Sequence, residues 1–259
     1  EAKLNRIGRN EWVSAPHFDF VSSEYLEGFV RDPFGETASV DEIDTSLSQR
    51  RAIFYVKPGY WILCDLIQGN DNAQHKLEQL FHIAPLDTPQ GEAPYTAGKI
   101  EASEKTIVTT DADLGNLAIL SLTDTPPQIS LHKGEVLPAA GWWGVKGEYP
   151  AWEVNFEIKT PLPARMDAVL YPLAPGQSDY PSVERLLSDV HTSALRITGN
   201  GLDDTFILCE EGTGPVAVGD ITFEGRALFV RRQPELSVYA VEPIRVIVDG
   251  KRVTPETGE

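Results

Sequence analysis

Apolar and β-branched residues in this chain gather in short runs separated by Gly, Pro, Asn and Asp, the punctuation expected of strands and turns. The runs are RRAIFYV (50–56), YWILCDLI (60–67), HKLEQLFHI (75–83), KTIVTT (105–110), NLAILSLT (116–123), AWEVNFEIK (151–159) and ARMDAVLYPL (164–173), followed by SALRIT (193–198), DTFILCEE (204–211), ALFVRR (227–232), LSVYAVE (236–242) and IRVIVDG (244–250). Long helical periodicity is absent, so the pattern predicts an all-β chain, an antiparallel β-sandwich of two large sheets with a smaller C-terminal β subdomain. One stretch reads as helix: in YPSVERLLSDV (180–190), Ser182 is placed to cap a turn beginning at Val183.

Turn chemistry orders the strands. Pro58 and Gly59 in KPGY predict a hairpin between 50–56 and 60–67, and GNDNA (69–73) predicts that 75–83 follows as the third strand of a meander. Alternation along 75–83 places His75 and His82 on opposite faces, which argues against a shared metal or a relay between them. The glycine-rich GTGPVAVGD (212–220) has neither the lysine of a phosphate-binding loop nor a following helix, and reads as a loop between short strands. The style of the sequence changes at 174–192, which predicts a large sandwich over 1–173, a connecting segment with the short helix, and a small C-terminal sheet over 193–259 packed on the first, with a frayed PETGE end.

Composition narrows the function. With 22 Lys and Arg against 39 Asp and Glu, the net charge is −17, a field that repels polyanions, and the basic doublets Arg50-Arg51 and Arg231-Arg232 form no run. Nucleic acid is therefore excluded as a partner, and no apolar stretch has the length of a membrane span. The sequence starts without methionine and without an apolar leader, from which a preceding region is expected. Cys64 and Cys209 both sit in apolar strand runs and read as free core thiols.

Candidate chemistry is sparse. The chain has no HExxH or paired CxxC, and its one two-ligand arrangement, His17 with Asp19, reads as the polar face of a strand whose other face carries Phe18 and Phe20. It also lacks a GxSxG elbow, and the carboxylate pairs Asp111 with Asp113 and Asp203 with Asp204 lie in turn-like stretches. The aromatic segment GWWGVKGEYPAW (141–152) is the one binding candidate: Trp142, Trp143, Tyr149 and Trp152 could stack on sugar rings, although core burial explains the same residues.

Taken in order, HFDFV, RRAIFYVKPGYWILCDLIQGNDNAQHKLEQLFHIAP and GWWGVKGEYPAWEVNFEIKTPLPARMDAVLYPL resemble the C-terminal β region of the heparinase II/III-like polysaccharide lyases. The matching features are Arg50 or Arg51 leading a strand, the Lys57-Pro58 turn, Tyr60-Trp61 on a strand with Asp65, His82 with Pro85, Gly141-Trp142, and Tyr171-Pro172. The resemblance implies β-elimination of uronate glycans by a parent protein whose catalytic Tyr and His lie mainly on an α/α toroid. No HxHxD-like or AHNT-like stretch is present, so no catalytic residue, metal ligand or cofactor carries over. It implies structural roles for Asp65, as a turn anchor, and for His82, at a strand end. It further implies a polysaccharide or oligosaccharide partner reached through the parent enzyme, a toroid domain as neighbour, and a periplasmic or secreted location. Two other expectations stand beside it: a self-standing carbohydrate-binding module, and a structural module that docks a toroid in trans.

Overall fold

The computed structural model describes residues 8–30, 43–83, 99–111, 114–143 and 149–259; Asp113 and Pro85 lie outside them, as do the side chains of Trp143 and Tyr149. Every regular element among the described residues is a strand. Four sheets carry the architecture. Sheet I has eight strands in the spatial order Asn10–Ser14, Phe18–Tyr25, Ser48–Val56, Trp61–Gln68, Ala164–Leu173, Asn116–Thr123, Thr106–Thr110 and Lys99–Ala102. Sheet II has three, Gln128–Lys133, Trp152–Thr160 and His75–Ile83. Sheet III runs Ser182–Ser188, Thr192–Gly199, Leu202–Cys209, Ala227–Arg231, Ser237–Val241 and Glu256–Thr257, and sheet IV runs Val216–Val218, Ile221–Glu224, Arg245–Val248 and Lys251–Arg252.

Three apolar cores stack these sheets in the order II, I, III, IV. Ile107, Ile119 and Met166 of sheet I meet Val154, Phe156 and Ile158 of sheet II. The opposite face of sheet I, with Phe18, Phe20, Phe54, Ile62, Leu120 and Val169, meets Leu195, Phe206, Leu208 and Phe229 of sheet III. The outer face of sheet III, with Ala194, Ile207 and Leu228, meets Phe223, Val246 and Val248 of sheet IV. Strands of the two middle layers must be apolar on both faces, and Trp61–Gln68 is: Ile62 through Leu66 are all buried. His75–Ile83, by contrast, exposes Lys76, Glu78, Leu80 and His82 on one face, as suits an outer layer.

This layering corrects the expected meander. Trp61–Gln68 pairs on its far side with Ala164–Leu173, while His75–Ile83 leaves the layer and pairs with Trp152–Thr160. The expected helix is also absent: Ser182–Ser188 is a strand paired with Thr192–Gly199, with a register shift between Arg185 and Leu187. The C-terminal end is held, not frayed, since Glu256–Thr257 pairs in parallel with Tyr239 and Ala240. Sheets I and II come from residues before the 174–192 segment and sheets III and IV from Ser182 onward, yet the largest core is shared between them.

Each interface that involves sheet I also contains buried ion pairs. Asp65, 2% exposed, accepts two bonds from Arg51 at 2.7 and 2.6 Å and one from Gln79 of sheet II at 2.9 Å. It sits inside its strand, so the turn-anchor expectation is replaced by a tie between layers. Between sheets I and III, Asp204 accepts from Arg231 at 2.9 and 2.6 Å and from the Tyr60 hydroxyl at 2.6 Å. Asp167 accepts from Arg185 at 2.9 Å and Ser193 at 2.7 Å. Glu210 is ringed by Arg50, Arg165 and Arg226. Each buried charge carries a desolvation cost of several kcal/mol, which these hydrogen bonds offset only in part, since Gln79 Oε1, Asp167 Oδ1, Arg165 Nη1 and Arg185 Nε are buried without a partner. Burial pushes the Asp167 carboxyl above its ordinary range despite Arg185 and Arg165, and burial together with the Asp204 charge pushes the Tyr60 hydroxyl well above its own. Cys64 and Cys209 are free and buried, and burial raises the Cys209 thiol to about 11.

Candidate functional site

The exposed face of sheet II brings together two of the sequence candidates. Cross-strand register aligns His132, Glu153 and His82 in one row over three strands, and alternation points all three to the same face. His82 Nε2 lies 2.9 Å from Glu153 Oε2, and the backbone N–H of Gly141 donates to the same oxygen at 3.3 Å. Glu153 thus links His82 to the segment that carries Trp142. His132 has its own partners, with Nδ1 2.9 Å from the Glu135 carboxylate and Nε2 3.2 Å from Ser130 Oγ. Below this row, burial alone would raise Glu78, but hydrogen bonds from Lys76 and Asn155 outweigh it and hold the carboxyl below its usual range.

A carboxylate-held imidazole can exchange a proton with solvent, but His82 is 44% exposed on an open sheet face where nothing described encloses a substrate.

The aromatic candidates do not form one platform. Trp142 is half-buried, and its indole N–H donates to the Glu135 carbonyl at 2.7 Å, which fixes the ring. Trp152 stands opposite Lys133 and Ile83 in the register, on the face turned away from Glu153, with the Lys133 ammonium 5.0 Å above its ring. Its indole N–H is buried without an acceptor. Trp143 and Tyr149 pair through their backbones, and their side chains are outside the described residues.

His17 and Asp19 separate: His17 Nδ1 lies 2.7 Å from Glu256, and Asp19 accepts from Ser14 at 2.6 Å and from Lys57. Among the described residues no three His, Cys, Asp or Glu side chains converge as metal ligands, and no helix is long and apolar enough to cross a membrane.

Sequence reasoning passed over a different aromatic set. Trp12, Val21, Ile53 and Leu63 stand in one cross-strand row on the sheet II side of sheet I, with Tyr55 and Trp61 paired in the next row. Among the described residues, the core beneath sheet II draws on Trp61–Gln68 and the strands beyond it, and contains none of the apolar residues from the first three strands of sheet I. Sheet II therefore covers only part of sheet I among the described residues, and His75–Ile83 is its edge strand. The one signal that could have found this set is the outward alternation of Arg51, Ile53 and Tyr55, and it becomes legible only with the neighbouring strands in register.

No protein-family model matches the chain, and no curated protein does. Solved structures do. A heparinase III gene product superposes over 78% of this chain and 28% of its own, with a TM-score of 0.52 and 16% identity. A second heparinase III structure covers 78% of this chain and 27% of its own, with a TM-score of 0.55 and 18% identity. The fold is heparinase III-like. This chain spans just over a quarter of the length of those heparinase III chains. The heparinase III-like fold accounts for the layered sheets; at these identities it assigns no residue a role.

Proposed function

We propose that this chain is the β-sandwich portion of a polysaccharide lyase that cleaves uronate-containing glycans by β-elimination. The sandwich buttresses and walls the cleft, while an α/α toroid domain supplies the catalytic base. In that reaction a neutralised uronate carboxylate acidifies C5, a Tyr or His base takes the C5 proton, the C4–O bond breaks, and the leaving glycosidic oxygen is protonated as the C4–C5 double bond forms. The observation that carries the reading is the heparinase III-like fold over 78% of the chain, in a sequence about a quarter as long as the proteins that share it. A net charge of −17 suits a supporting part better than the primary capture of an anionic polymer. His82 and Asp65 then serve structure, and the periplasm or the exterior is the setting such a substrate implies. The test is the intact mass of the gene product purified from its native source. The reading expects a mass well above the 28.5 kDa of this chain, and a mass equal to it would overturn the assignment.

A further inference from the structure

We propose that the free edge of His75–Ile83 is a docking site for an extended segment of a partner polypeptide, which joins the three-stranded sheet II as one more strand. The inference stands apart from the lyase reading. It starts from how the other sheet edges are closed. Glu259 is bonded to Ser14 of the edge strand Asn10–Ser14 through both backbone groups, at 3.1 and 3.2 Å, and Glu256–Thr257 covers the side of Ser237–Val241. Ser182–Ser188 is broken by its register shift, and Lys99–Ala102, Val216–Val218 and Lys251–Arg252 have four residues or fewer. The opposite edge of sheet II, Gln128–Lys133, has the Gly141 backbone packed against His132 and Lys133 at its end. Short, irregular or covered edges are the usual protection against strand addition.

His75–Ile83 has none of these devices. It runs for nine residues in unbroken register with Trp152–Thr160, contains no proline, and among the described residues no strand pairs with its other side. Along that side every second N–H and C=O is open to an added strand.

What lies beneath the added strand sets its chemistry. Gln79 donates to Asp65 at 2.9 Å and to the Met166 carbonyl at 3.1 Å, so His75–Ile83 lies over Trp61–Gln68 and Ala164–Leu173. On its paired side, Trp152–Thr160 meets Met166 and the strands that carry Ile119 and Ile107. Crossing sheet II toward the free edge therefore crosses sheet I toward Ser48–Val56, where Ile53 and Tyr55 are half-buried. A strand in that place continues the core between sheets I and II, which calls for apolar residues at every second position. Aromatic groups fit such a layer: Trp152 faces inward in this same core with its indole N–H buried, and Trp61, stacked on Tyr55 at 4.6 Å, can be covered in the same way.

Sheet I runs on past Ser48–Val56 through Phe18–Tyr25 and Asn10–Ser14. A second copy joined edge to edge in the antiparallel sense would bring its own sheet I into the space those strands fill, which leaves a lone segment as the occupant. The net charge of −17 draws in a segment whose outward residues are basic.

The experiment titrates the 259-residue chain with the synthetic peptide WKVNFKIKT, which repeats Trp152–Thr160 with lysine at both glutamate positions, and separately with WKVPFKIKT, whose central proline is unfit for a strand interior. Calorimetric heat and amide hydrogen exchange are read. Saturable binding of the first peptide is expected, about tenfold tighter than the second, with exchange slowed along 75–83. The protein is the same in both arms, so the result does not hang on a variant that folds. Absence of binding at millimolar peptide overturns the assignment, as does equal affinity for the two peptides or binding that leaves exchange along 75–83 unchanged. So does concentration-dependent self-association that slows exchange along 75–83, since the edge would then take a second copy.

Discussion

Asp204→Ala is expected to lower the free energy of unfolding by about 3–5 kcal/mol, because it removes the shared acceptor of a buried charged site. Asp204 is fully buried, and its carboxylate receives both nitrogens of the Arg231 fork and the Tyr60 hydroxyl. Asp204 and Arg231 are cross-strand neighbours within sheet III, whereas Tyr60 arrives from sheet I. Alanine would leave a guanidinium and a phenol facing each other across the main core without an acceptor. For a domain whose whole stability is of order 5–15 kcal/mol, that is a large share. Urea unfolding should show the midpoint falling with little change in slope. A loss below about 1 kcal/mol would mean that water reaches the site and that the tie is superficial.

The second large effect lies a few residues away in the same core. Phe54 stacks on Phe18 at 5.1 Å and lies 5.2 Å from Phe206 and 5.7 Å from Phe229, so one ring joins sheet I to two strands of sheet III. Phe54→Ala is expected to cost about 3–5 kcal/mol, the sum of lost transfer energy and the cavity left between layers that cannot collapse onto it. Phe54→Leu, which keeps most of the volume, should cost clearly less. Thermal unfolding of the two variants beside the parent checks the order. Equal and small losses would show that the two middle sheets do not depend on this contact.

Much of the layering was legible in the sequence, and the exceptions have physical causes. Runs such as WILCDLI, apolar on both faces, and HKLEQLFHI, apolar on one, already distinguish a middle layer from an outer one, but a local turn signal at 69–73 does not say that the chain changes layer. The stretch at Ser182–Ser188 looked helical because the register shift between Arg185 and Leu187 adds one residue to the strand. That shift breaks the period of two and spaces Val183, Leu186 and Leu187 as a helix would. Asp65 was misread because an aspartate near the end of an apolar run usually marks a turn. Its partner Arg51 is directly opposite in the hairpin register, and that pairing was available from the Pro58-Gly59 turn alone. The set Trp12, Tyr55 and Trp61 was passed over for the converse reason: sequence density drew attention to Trp142 and its neighbours, while these three come from three strands that share a face only after folding, with Tyr55 and Trp61 stacked.

The measurement that tests the functional account most directly is the ultraviolet absorbance of unsaturated uronate, followed while the gene product purified from its native source is incubated with a panel of uronate polysaccharides. The account predicts a steady rise with at least one member of the panel and none with neutral glucans. A flat trace across the whole panel, from protein whose circular dichroism shows it folded, would contradict it.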